Sequence, residues 1–394
     1  MENQVSLNDA AVENTVVSNE ALTAEASVPP KKKKRHINQQ KLQDNLWGWI
    51  FCIPLIVGTV WFVYSALIMA IMLSFTNYTI GSAPLMEVLG NLKDHVYTID
   101  TSYTDELTGV LVPGDIIEKP LFWYTRIFTY ADPNLDYPMN EMGMHLFNTV
   151  FYMIGIPIGM ILAMFFAVCM SRDIKGGNVF RVLYYVPCVA STISVVFTFK
   201  LMFKEEGVIN AILGTENLSW IKLQGATKWI DLYPEKSGST SAFMNDPFWC
   251  QGFLSKMVIV IRSVWKGLGG TIILYIAGLS GVNAATKEAA QIDGANAWKI
   301  FWKVTMPDLY PVIFYNIVTS VIGGLQIYME PELLVGGASP NTSGYVSLVF
   351  QYGIEGKNGA DPSPAAGAAY GLFLAVIIFV LTLFQFWLDG RKKD

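Results

Sequence analysis

Long apolar segments separated by polar ones dominate the pattern along this chain. Six runs contain about twenty or more mostly apolar residues, the length that a helix needs to cross the hydrocarbon core of a bilayer. The predicted spans are Leu46–Phe75, Phe147–Met170, Leu183–Phe203, Met257–Val282, Tyr310–Met329 and Ala366–Leu388. The pattern therefore predicts an all-α integral membrane protein with about six transmembrane helices.

Composition agrees with a membrane protein and gives no support to metal chemistry. Of the 394 residues, 52% are hydrophobic and only 15% are charged, whereas soluble domains are about 25% charged. The four cysteines form no C-x-x-C pair and the three histidines lie far apart, so the spacing of a zinc or redox site is missing. We expect neither a metal site nor a bound cofactor in this chain.

The distribution of charge predicts the orientation. Lys and Arg concentrate on the cytoplasmic side of membrane proteins. The first long loop, Asn77–Leu146, has ten acidic and three basic residues, which places it outside. Both termini are then predicted to be cytoplasmic, with outer loops at 77–146 and 204–253 and an inner loop at 282–308.

Residues 1–45 are predicted to be a disordered cytoplasmic tail that ends in a basic patch. The first thirty residues are acidic and polar and lack the apolar core of a signal peptide. The run Lys31–Arg35 precedes the first span closely, which favours a cytoplasmic patch in contact with anionic membrane lipid over a nuclear-localisation signal.

The first outer loop also contains the features of a small folded unit. A turn sequence, Val112-Pro113-Gly114-Asp115, is followed by a group of aromatic residues that includes Trp123 and Tyr124. Two interpretations stay open at this point: packing of the loop over the membrane domain, and direct contact with a partner protein.

The inner loop between the fourth and fifth spans has the pattern of a helix–turn–helix. Glu288-Ala289-Ala290 favours a helix, and the small alanines permit close approach of another surface. Gly294 provides the freedom that a sharp turn requires. A second helical stretch follows, with an apolar edge at Trp298, Phe301 and Trp302, and Pro307 is predicted to end it.

This loop resembles the signature of the permeases of binding-protein-dependent ABC importers. The pattern Glu-Ala-Ala, three residues, Gly, nine residues, Ile-x-Leu-Pro is kept, with Val304 and Met306 as substitutions. The form Ile292-Asp293-Gly294-Ala295 is similar to the maltose and multiple-sugar branch. Further similarities are Asn148-Thr149, Gly207 to Asn210, Trp265-Lys266-Gly267, Ala277-Gly278-Leu279, Gly336-Gly337 and Thr342. The similarity extends from about Trp47 to the C-terminus, so 46–394 is interpreted as the permease domain.

The resemblance implies a type I ABC importer fold and a mechanical role for the loop. In such permeases the loop forms a coupling helix that docks on a cytoplasmic ATPase. The residues implied in coupling are Glu288, Ala289, Ala290, Asp293, Gly294 and Pro307. The implied partners are two ATP-binding cassette ATPase subunits, a second permease and an extracytoplasmic solute-binding protein, in a bacterial cytoplasmic membrane. The chain lacks a Walker A motif, so ATP-Mg would be used by the partner ATPase and this subunit is not expected to be an enzyme.

Polar residues within the fifth span predict where a solute would bind. Such residues are costly in a membrane and usually face an interior cavity. On a helical wheel a polar face contains Asn316, Thr319, Ser320, Gly323, Gln326 and Glu330, with Tyr315 and Tyr328 alongside. The resemblance implies substrate contacts at Thr319, Gly323 and Gln326, and at Ser263, Gly267 and Gly270 in the fourth span. Packing of this face against a partner permease remains the alternative.

Two cations interrupt the apolar pattern of the fourth span. Arg262 and Lys266 lie one helical turn apart. One interpretation is a cationic element that suits an anionic saccharide. The other is that one of them pairs with an acidic residue such as Glu330.

The resemblance favours a sugar or oligosaccharide as the transported solute. The same scaffold carrying an amino acid, a phosphate or a polyamine is the first alternative. A membrane-bound glycosyltransferase-type enzyme and a channel are alternatives from other classes. An enzyme of that kind needs clustered acidic or histidine side chains at a membrane face, and the acidic residues here are scattered through the loops.

Overall fold

The structure, a computed structural model, describes most of the chain after residue 38. The described ranges are 39–100, 103–104, 111–112, 116–130, 140–171, 177–214, 220–221, 252–336, 342–357 and 361–391. Residues 1–38 of the predicted tail with its basic patch, the turn at Pro113-Gly114-Asp115, most of the loop 204–253 and Gly337 lie outside them. Residues 39–45, predicted to be disordered, belong instead to the helix Gln39–Gly58.

Helices account for most of the described residues. The α-helices are α1 (Gln39–Gly58), α2 (Ser65–Leu73), α3 (Leu85–Gly90), α4 (Phe122–Thr129), α5 (Glu141–Met153), α6 (Gly155–Met170), α7 (Gly177–Val189), α8 (Thr192–Met202), α9 (Val208–Leu213), α10 (Phe253–Ser280), α11 (Ala284–Ile292), α12 (Ala297–Ile300), α13 (Met306–Leu325), α14 (Met329–Pro331), α15 (Tyr345–Phe350) and α16 (Pro364–Gly390). A 3-10 turn spans Leu92–His95, and π-helical segments span Thr59–Tyr64, Phe301–Thr305, Glu332–Gly336 and Gln351–Glu355.

Five described helical segments are long and apolar enough to cross a membrane, and a bent pair makes a sixth. They are span 1 (Trp47–Leu73), span 2 (Glu141–Met170), span 4 (Phe253–Ser280), span 5 (Ala297–Leu325) and span 6 (Pro364–Gly390), with Val179–Val189 and Thr192–Met202 as the two halves of span 3. The prediction of about six membrane-spanning helices is confirmed.

Span 3 differs from the straight helix that the sequence predicts. Its two halves meet at an angle of 97°. Pro187 lies in the last turn of the first half, where its ring lacks a hydrogen-bond donor. Ser191 then adopts φ −55° and ψ 135°, outside the helical region, so the helix breaks at this point.

Span 4 is a single helix, as predicted, and it continues through Arg262 and Lys266. Span 5 corrects one expectation. Pro307 does not end the inner loop. It lies just after the π-helical segment Phe301–Thr305, a local adjustment of the kind that accommodates a missing N–H within a helix. The helix continues from α12 through this segment into span 5.

The chain forms two compact units, Met1–Ser65 and Ala66–Asp394. In the first, α1 carries large apolar side chains that are mostly exposed, such as Trp49 and Phe51. Such exposure is expected for a helix surrounded by lipid, where an apolar surface has no water to avoid.

Span 4 is at the centre of the second unit. A methyl group added at Gly269 would lie 2.2 Å from the carbonyl oxygen of Tyr184, so span 3 crosses span 4 at backbone contact there. A methyl group added at Gly155 would lie 3.3–3.4 Å from the side chains of Val260 and Val264, so span 2 packs closely against span 4. Small residues therefore set the close helix spacing around span 4.

The outer loop after span 1 folds against the membrane domain. It adds two short antiparallel ladders to the helical fold, one pairing β1 (Thr98–Asp100) with β4 (Ile116–Glu118) and one pairing β2 (Tyr103–Thr104) with β3 (Leu111–Val112). The indole Nε1 of Trp123 donates to the carbonyl of Thr76 at 3.0 Å. Trp123 and Ile127 are buried in one cluster with residues of α15 and span 6. These contacts support the interpretation of the described part of the loop as a packed cap.

Several residues behind the resemblance serve to anchor loops. Asn148 Nδ2 donates to the carbonyl of Ser343 at 3.0 Å, and the hydroxyl of Thr149 accepts from the N–H of Tyr345 at 2.8 Å. Asn210 Nδ2 donates to the carbonyl of Glu205 at 2.9 Å. These side chains satisfy backbone groups of irregular segments that lack a helical partner, which is a structural reason for their positions.

Candidate functional site

The inner loop after span 4 is a short helix, a turn and a second helix, as the sequence predicts. Helix α11 begins after Asn283, whose side-chain oxygen accepts from the N–H of Ala285 at 2.9 Å. Helix α12 begins after Asn296, whose side chain accepts from the N–H of Lys299 at 2.9 Å. Each helix thus starts on an asparagine cap that satisfies a free N–H group.

Gly294 sets the turn between these helices. Its φ is +77°, a left-handed conformation that side chains with a Cβ disfavour. Its N–H donates to the carbonyl of Gln291, and the N–H of Ala295 donates to that of Ala290, both at 3.0 Å. These two bonds form a Schellman motif, which closes the end of α11 and turns the chain sharply.

The residues of the predicted coupling motif lie on the surface of the described chain. Glu288, Ala289, Asp293, Gly294 and Pro307 are exposed, and Ala290 is half-buried. Nearby, Ile292 is 87% exposed, although a large aliphatic side chain is normally buried. The helix α11 therefore presents a carboxylate, small residues and one apolar side chain on a free surface. Ile292 was not predicted as part of this site; its position directly before Asp293-Gly294 was the available signal.

The aromatic residues of the second stretch contact one another. The ring centroids of Trp298, Phe301 and Trp302 lie 5.4–6.4 Å apart, as offset or edge-on aromatic pairs do. They line an apolar cavity of about 530 Å³ together with residues of span 2. The predicted apolar edge is present, and it faces span 2.

A second cavity of about 500 Å³ lies between spans 2, 4 and 5. Ligand sites typically have volumes of this order. Its lining consists of Tyr152, Met153, Gly155, Ile156, Gly159, Met160, Ser263, Val264, Gly267, Thr271, Ser320, Gly323, Gly324, Gln326, Ile327 and Glu330. Glycine and hydroxyl-bearing residues form a large part of this lining. It is called the central cavity below.

Five of the nine predicted substrate residues line the central cavity: Ser263, Gly267, Ser320, Gly323 and Gln326. They come from two spans that the sequence alone could not place against each other. Gln326 follows the last residue of α13, and its N–H donates to the carbonyl of Gly323 at 3.2 Å. It therefore closes the end of span 5 rather than lying within it.

The other four predicted residues are not brought to this cavity. A methyl group added at Gly270 would lie 3.5 Å from the Cys188 sulfur, so this position is packed against span 3. Asn316 is buried and donates to the phenol oxygen of Tyr275 at 3.0 Å. The Thr319 hydroxyl donates to the carbonyl of Tyr315 at 2.9 Å, and Tyr315 is 60% exposed on the outside of the bundle. The residues of the predicted polar face thus have three different locations. Some line the cavity, Asn316 packs against span 4, and Tyr315 lies on the outer surface.

Arg262 and Lys266 both have partners. Arg262 Nη1 lies 2.8 Å from Glu330 Oε1, and the Arg262 side chain is 1% exposed. The paired interpretation of Arg262 is confirmed. Lys266 Nζ donates to the hydroxyl of Thr192 at the start of α8, and neither cation belongs to the cavity lining.

The segment after span 5 carries an acidic pair outside the membrane spans. Burial and the neighbouring carboxylate of Glu355 raise the pKa of Glu332 above its usual range, and a hydrogen bond from Ser347 opposes this shift. Burial also raises the pKa of Tyr328, and the two glutamates add to it. Ionisation of Glu332 is therefore less favourable in the folded protein than in the unfolded chain.

The sequence profile of the family described as "Binding-protein-dependent transport system inner membrane component" matches residues 155–394, more than half of the chain. The chain belongs to this family. The resemblance noted in the inner loop is thereby confirmed, and the protein is a multi-pass component of the cytoplasmic membrane.

Curated relatives of this transport-system membrane component cover most of its length. The "Probable ABC transporter permease protein YesP" of Bacillus subtilis is 26% identical over 370 residues, 92% of this chain and 97% of the relative. The "Arabinooligosaccharides transport system permease protein AraP" of the same species is 30% identical over 257 residues, 63% and 72% of the two chains. The "Lactose transport system permease protein LacF" of Rhizobium radiobacter is 29% identical over 249 residues, 62% and 75% of the two chains.

Solved structures show the same fold for this family member. A chain of a bacterial ABC transporter involved in the import of the acidic polysaccharide alginate matches with a TM-score of 0.59 at 17% identity, over 90% of this chain and 99% of the other. A second structure, of a bacterial alginate ABC transporter in complex with an alginate pentasaccharide-bound periplasmic protein, matches with a TM-score of 0.59 at 18% identity, over 91% and 98%.

Sequence reasoning missed the contribution of span 2 to the cavity of this membrane component. Tyr152, Gly155 and Gly159 line it, and Tyr152 also donates from its hydroxyl to the carbonyl of Thr342. A signal was present, since Gly155 and Gly159 share a helix face at a spacing of four, as Gly267 and Thr271 do in span 4.

Proposed function

We propose that this chain is the permease subunit of an ATP-driven ABC importer that moves a saccharide, with its inner loop docked on a cytoplasmic ATPase. The observation that carries the coupling role is the free surface of α11. An exposed helix that holds Glu288, two alanines and the 87% exposed Ile292 is suited to insertion into a complementary groove. The sharp Gly294 turn fixes its direction relative to span 5.

The saccharide cargo is supported by the relatives and by the cavity. The names of the relatives AraP and LacF refer to arabinooligosaccharides and to lactose. The central cavity combines hydroxyl, amide and carboxylate groups with apolar walls, and a polyhydroxylated solute can donate to and accept from such groups. Transport of an amino acid, a phosphate or a polyamine would contradict the saccharide assignment and leave the coupling assignment standing.

The proposed assembly contains two ATPases, a second permease and an extracytoplasmic solute-binding protein. ATP-Mg binds the ATPases, and this chain transmits their closure to its spans. The first long loop contains only three basic residues, and Lys and Arg concentrate on the cytoplasmic side. This supports an outer position for that loop and a cytoplasmic position for the coupling loop and both termini. The basic patch Lys31–Arg35 then lies where anionic lipid is found.

The test reverses the charge of Glu288. Glu288→Lys would place a cation where the proposed interface holds a carboxylate, so we expect loss of the co-purifying ATPase and of saccharide-stimulated ATP hydrolysis. Glu206→Lys is the matched control, because Glu206 is also exposed but lies after span 3, one span away from the coupling loop. A Glu288→Lys complex that assembles and transports like the wild type would defeat the coupling assignment.

A further inference from the structure

The central cavity has a distinct charge pattern. Among its described lining residues, Glu330 is the one carboxylate, and neither Lys nor Arg is present. The remaining lining side chains are small, apolar, hydroxyl-bearing or amide. A solute in this cavity would therefore meet a single formal charge, and that charge is negative.

The counter-ion of this carboxylate lies behind it. Arg262 is 1% exposed and Glu330 is 23% exposed, with 2.8 Å between Nη1 and Oε1. Arg262 is thus sealed within the protein, while the side chain of Glu330 is partly exposed and lines the cavity. A buried pair of this kind is neutral overall, but its negative end is the one that a solute contacts.

Lys266 of span 4 does not reverse this pattern. Lys266 lies one turn after Arg262, and its ammonium group is held by the Thr192 hydroxyl at the start of α8. Lys266 is outside the described cavity lining. Both cations that once favoured an anionic cargo are therefore engaged away from the solute.

A carboxylate in this position distinguishes solutes by their charge. It accepts hydrogen bonds and has none to donate when ionised, so the hydroxyl groups of a neutral sugar are suitable partners. The carboxylate of a uronate would meet a like charge in a site of low dielectric, where repulsion is strong. We propose that Glu330 determines specificity and admits neutral saccharides while it disfavours anionic ones. This inference rests on the proposed saccharide transport.

The neutral cargo proposed for this chain differs from the acidic cargo of its structural neighbour. That neighbour imports the acidic polysaccharide alginate, but at 17% identity the likeness concerns the fold alone. Function resides in the site and not in the fold. The pair Arg262–Glu330 gives this cavity a negative contact surface, which an acidic oligosaccharide does not suit.

The test varies the charge of the pair in three steps. The wild type presents a carboxylate, the double variant Arg262→Gln/Glu330→Gln presents amides with no charge, and Glu330→Gln leaves Arg262 alone. Binding of labelled oligogalacturonates and of neutral galacto- and arabino-oligosaccharides of equal length is measured by equilibrium dialysis. The sample is the purified permease–ATPase complex without binding protein, because a binding protein has a preference of its own.

We expect the ratio of uronate to neutral affinity to rise in the order wild type, double variant, Glu330→Gln. The total change should be about tenfold or more, since one unit charge is added or removed close to the solute. The double variant keeps the test valid if the single variant unfolds, because it leaves no unpaired buried charge. Thermal melting of each complex verifies the fold.

Glu332→Gln is the matched control, since it removes a carboxylate from the same segment that does not line the cavity, and its ratio should equal that of the wild type. An unchanged ratio across the charge series would overturn the specificity role while leaving saccharide transport intact. A wild type that prefers the uronates would overturn it as well. Failure of every saccharide to bind in every complex would instead remove the proposed cargo, and the inference with it.

Discussion

The Gly294 turn offers a direct test of how the coupling loop is built. Replacing Gly294 with valine forces a β-branched residue into the left-handed region, at φ +77°. A Cβ added there would meet no atom within 4 Å, so the penalty is conformational and not a collision. For an L residue with a Cβ this penalty is roughly 1–2 kcal/mol, and it is larger for a β-branched side chain.

The local hydrogen bonds show where this energy acts. The bonds from Gly294 and Ala295 to the carbonyls of α11 exist only in the turned conformation. Valine relieves its strain by opening the turn, which changes the direction of α11 relative to span 5. A penalty of about 1–2 kcal/mol corresponds to a factor of roughly 5–30 in the population of the turned form.

The assay is saccharide-stimulated ATP hydrolysis by the assembled complex, with co-purified ATPase as a second measurement. We expect Gly294→Val to lower the stimulated rate about 5–30-fold, and Gly294→Asn to remain near the wild type because asparagine tolerates this conformation. The melting temperature of the membrane domain should stay the same, since the turn is exposed. Full activity of the valine variant, or an equal loss of activity in the asparagine and valine variants, would show that the left-handed turn at Gly294 does not control coupling.

Two further predictions concern stability. Gly269→Ala should destabilise the protein by about 1–3 kcal/mol, because its methyl group would lie 2.2 Å from a backbone oxygen of span 3. Gly267→Ala is the control: its methyl group would have no atom within 4 Å, so this variant should melt like the wild type. Glu332→Gln should raise the melting temperature at neutral pH, because it removes a carboxylate whose pKa is raised by burial and by Glu355. The folded protein binds this proton more tightly than the unfolded chain, so the wild type gains stability as pH falls through the raised pKa toward the usual value of about 4.3, and the advantage of glutamine should shrink there.

Melting curves in detergent or nanodiscs decide both cases. Equal melting temperatures for the two glycine variants would contradict the backbone contact between spans 3 and 4. A glutamine advantage of the same size at neutral and acidic pH would show that the carboxylate of Glu332 carries no pH-linked penalty.

Hydropathy predicted the spans well and their ends less well. The helix that contains span 5 begins at Ala297, before the predicted start at Tyr310, since it continues through exposed lysines that an apolar window excludes. Pro307 was interpreted as a terminator, but it lies within the continuous helix Ala297–Leu325, just after a π-helical segment. Local π-helical adjustments accommodate a proline inside a membrane helix. The 97° bend of span 3 combines one proline with a non-helical serine, and its size depends on neighbours that the sequence does not position.

The coupling loop was predicted more completely than the cavity for a physical reason. Its caps, its Schellman turn and its exposed surface arise from residues close together in the chain. The cavity requires three helices to cross at given heights. Asn316 and Ser320 share one helix face, yet Asn316 meets Tyr275 of span 4 and Ser320 meets the cavity. A helical wheel gives the direction of a side chain, but it does not say where a neighbouring helix crosses.

The pairing of Arg262 shows how one contact determines several properties at once. Two cations one turn apart in an apolar helix are compatible with an anionic cargo or with internal neutralisation, and only Glu330, far along the chain, decides between them. Because that ion pair joins span 4 to the segment after span 5, it stabilises the cavity wall and sets its charge. A change in Glu330 alone therefore alters selectivity and stability together, since the charge left on Arg262 is buried. Removing both charges is the perturbation that separates recognition of the solute from the integrity of the wall.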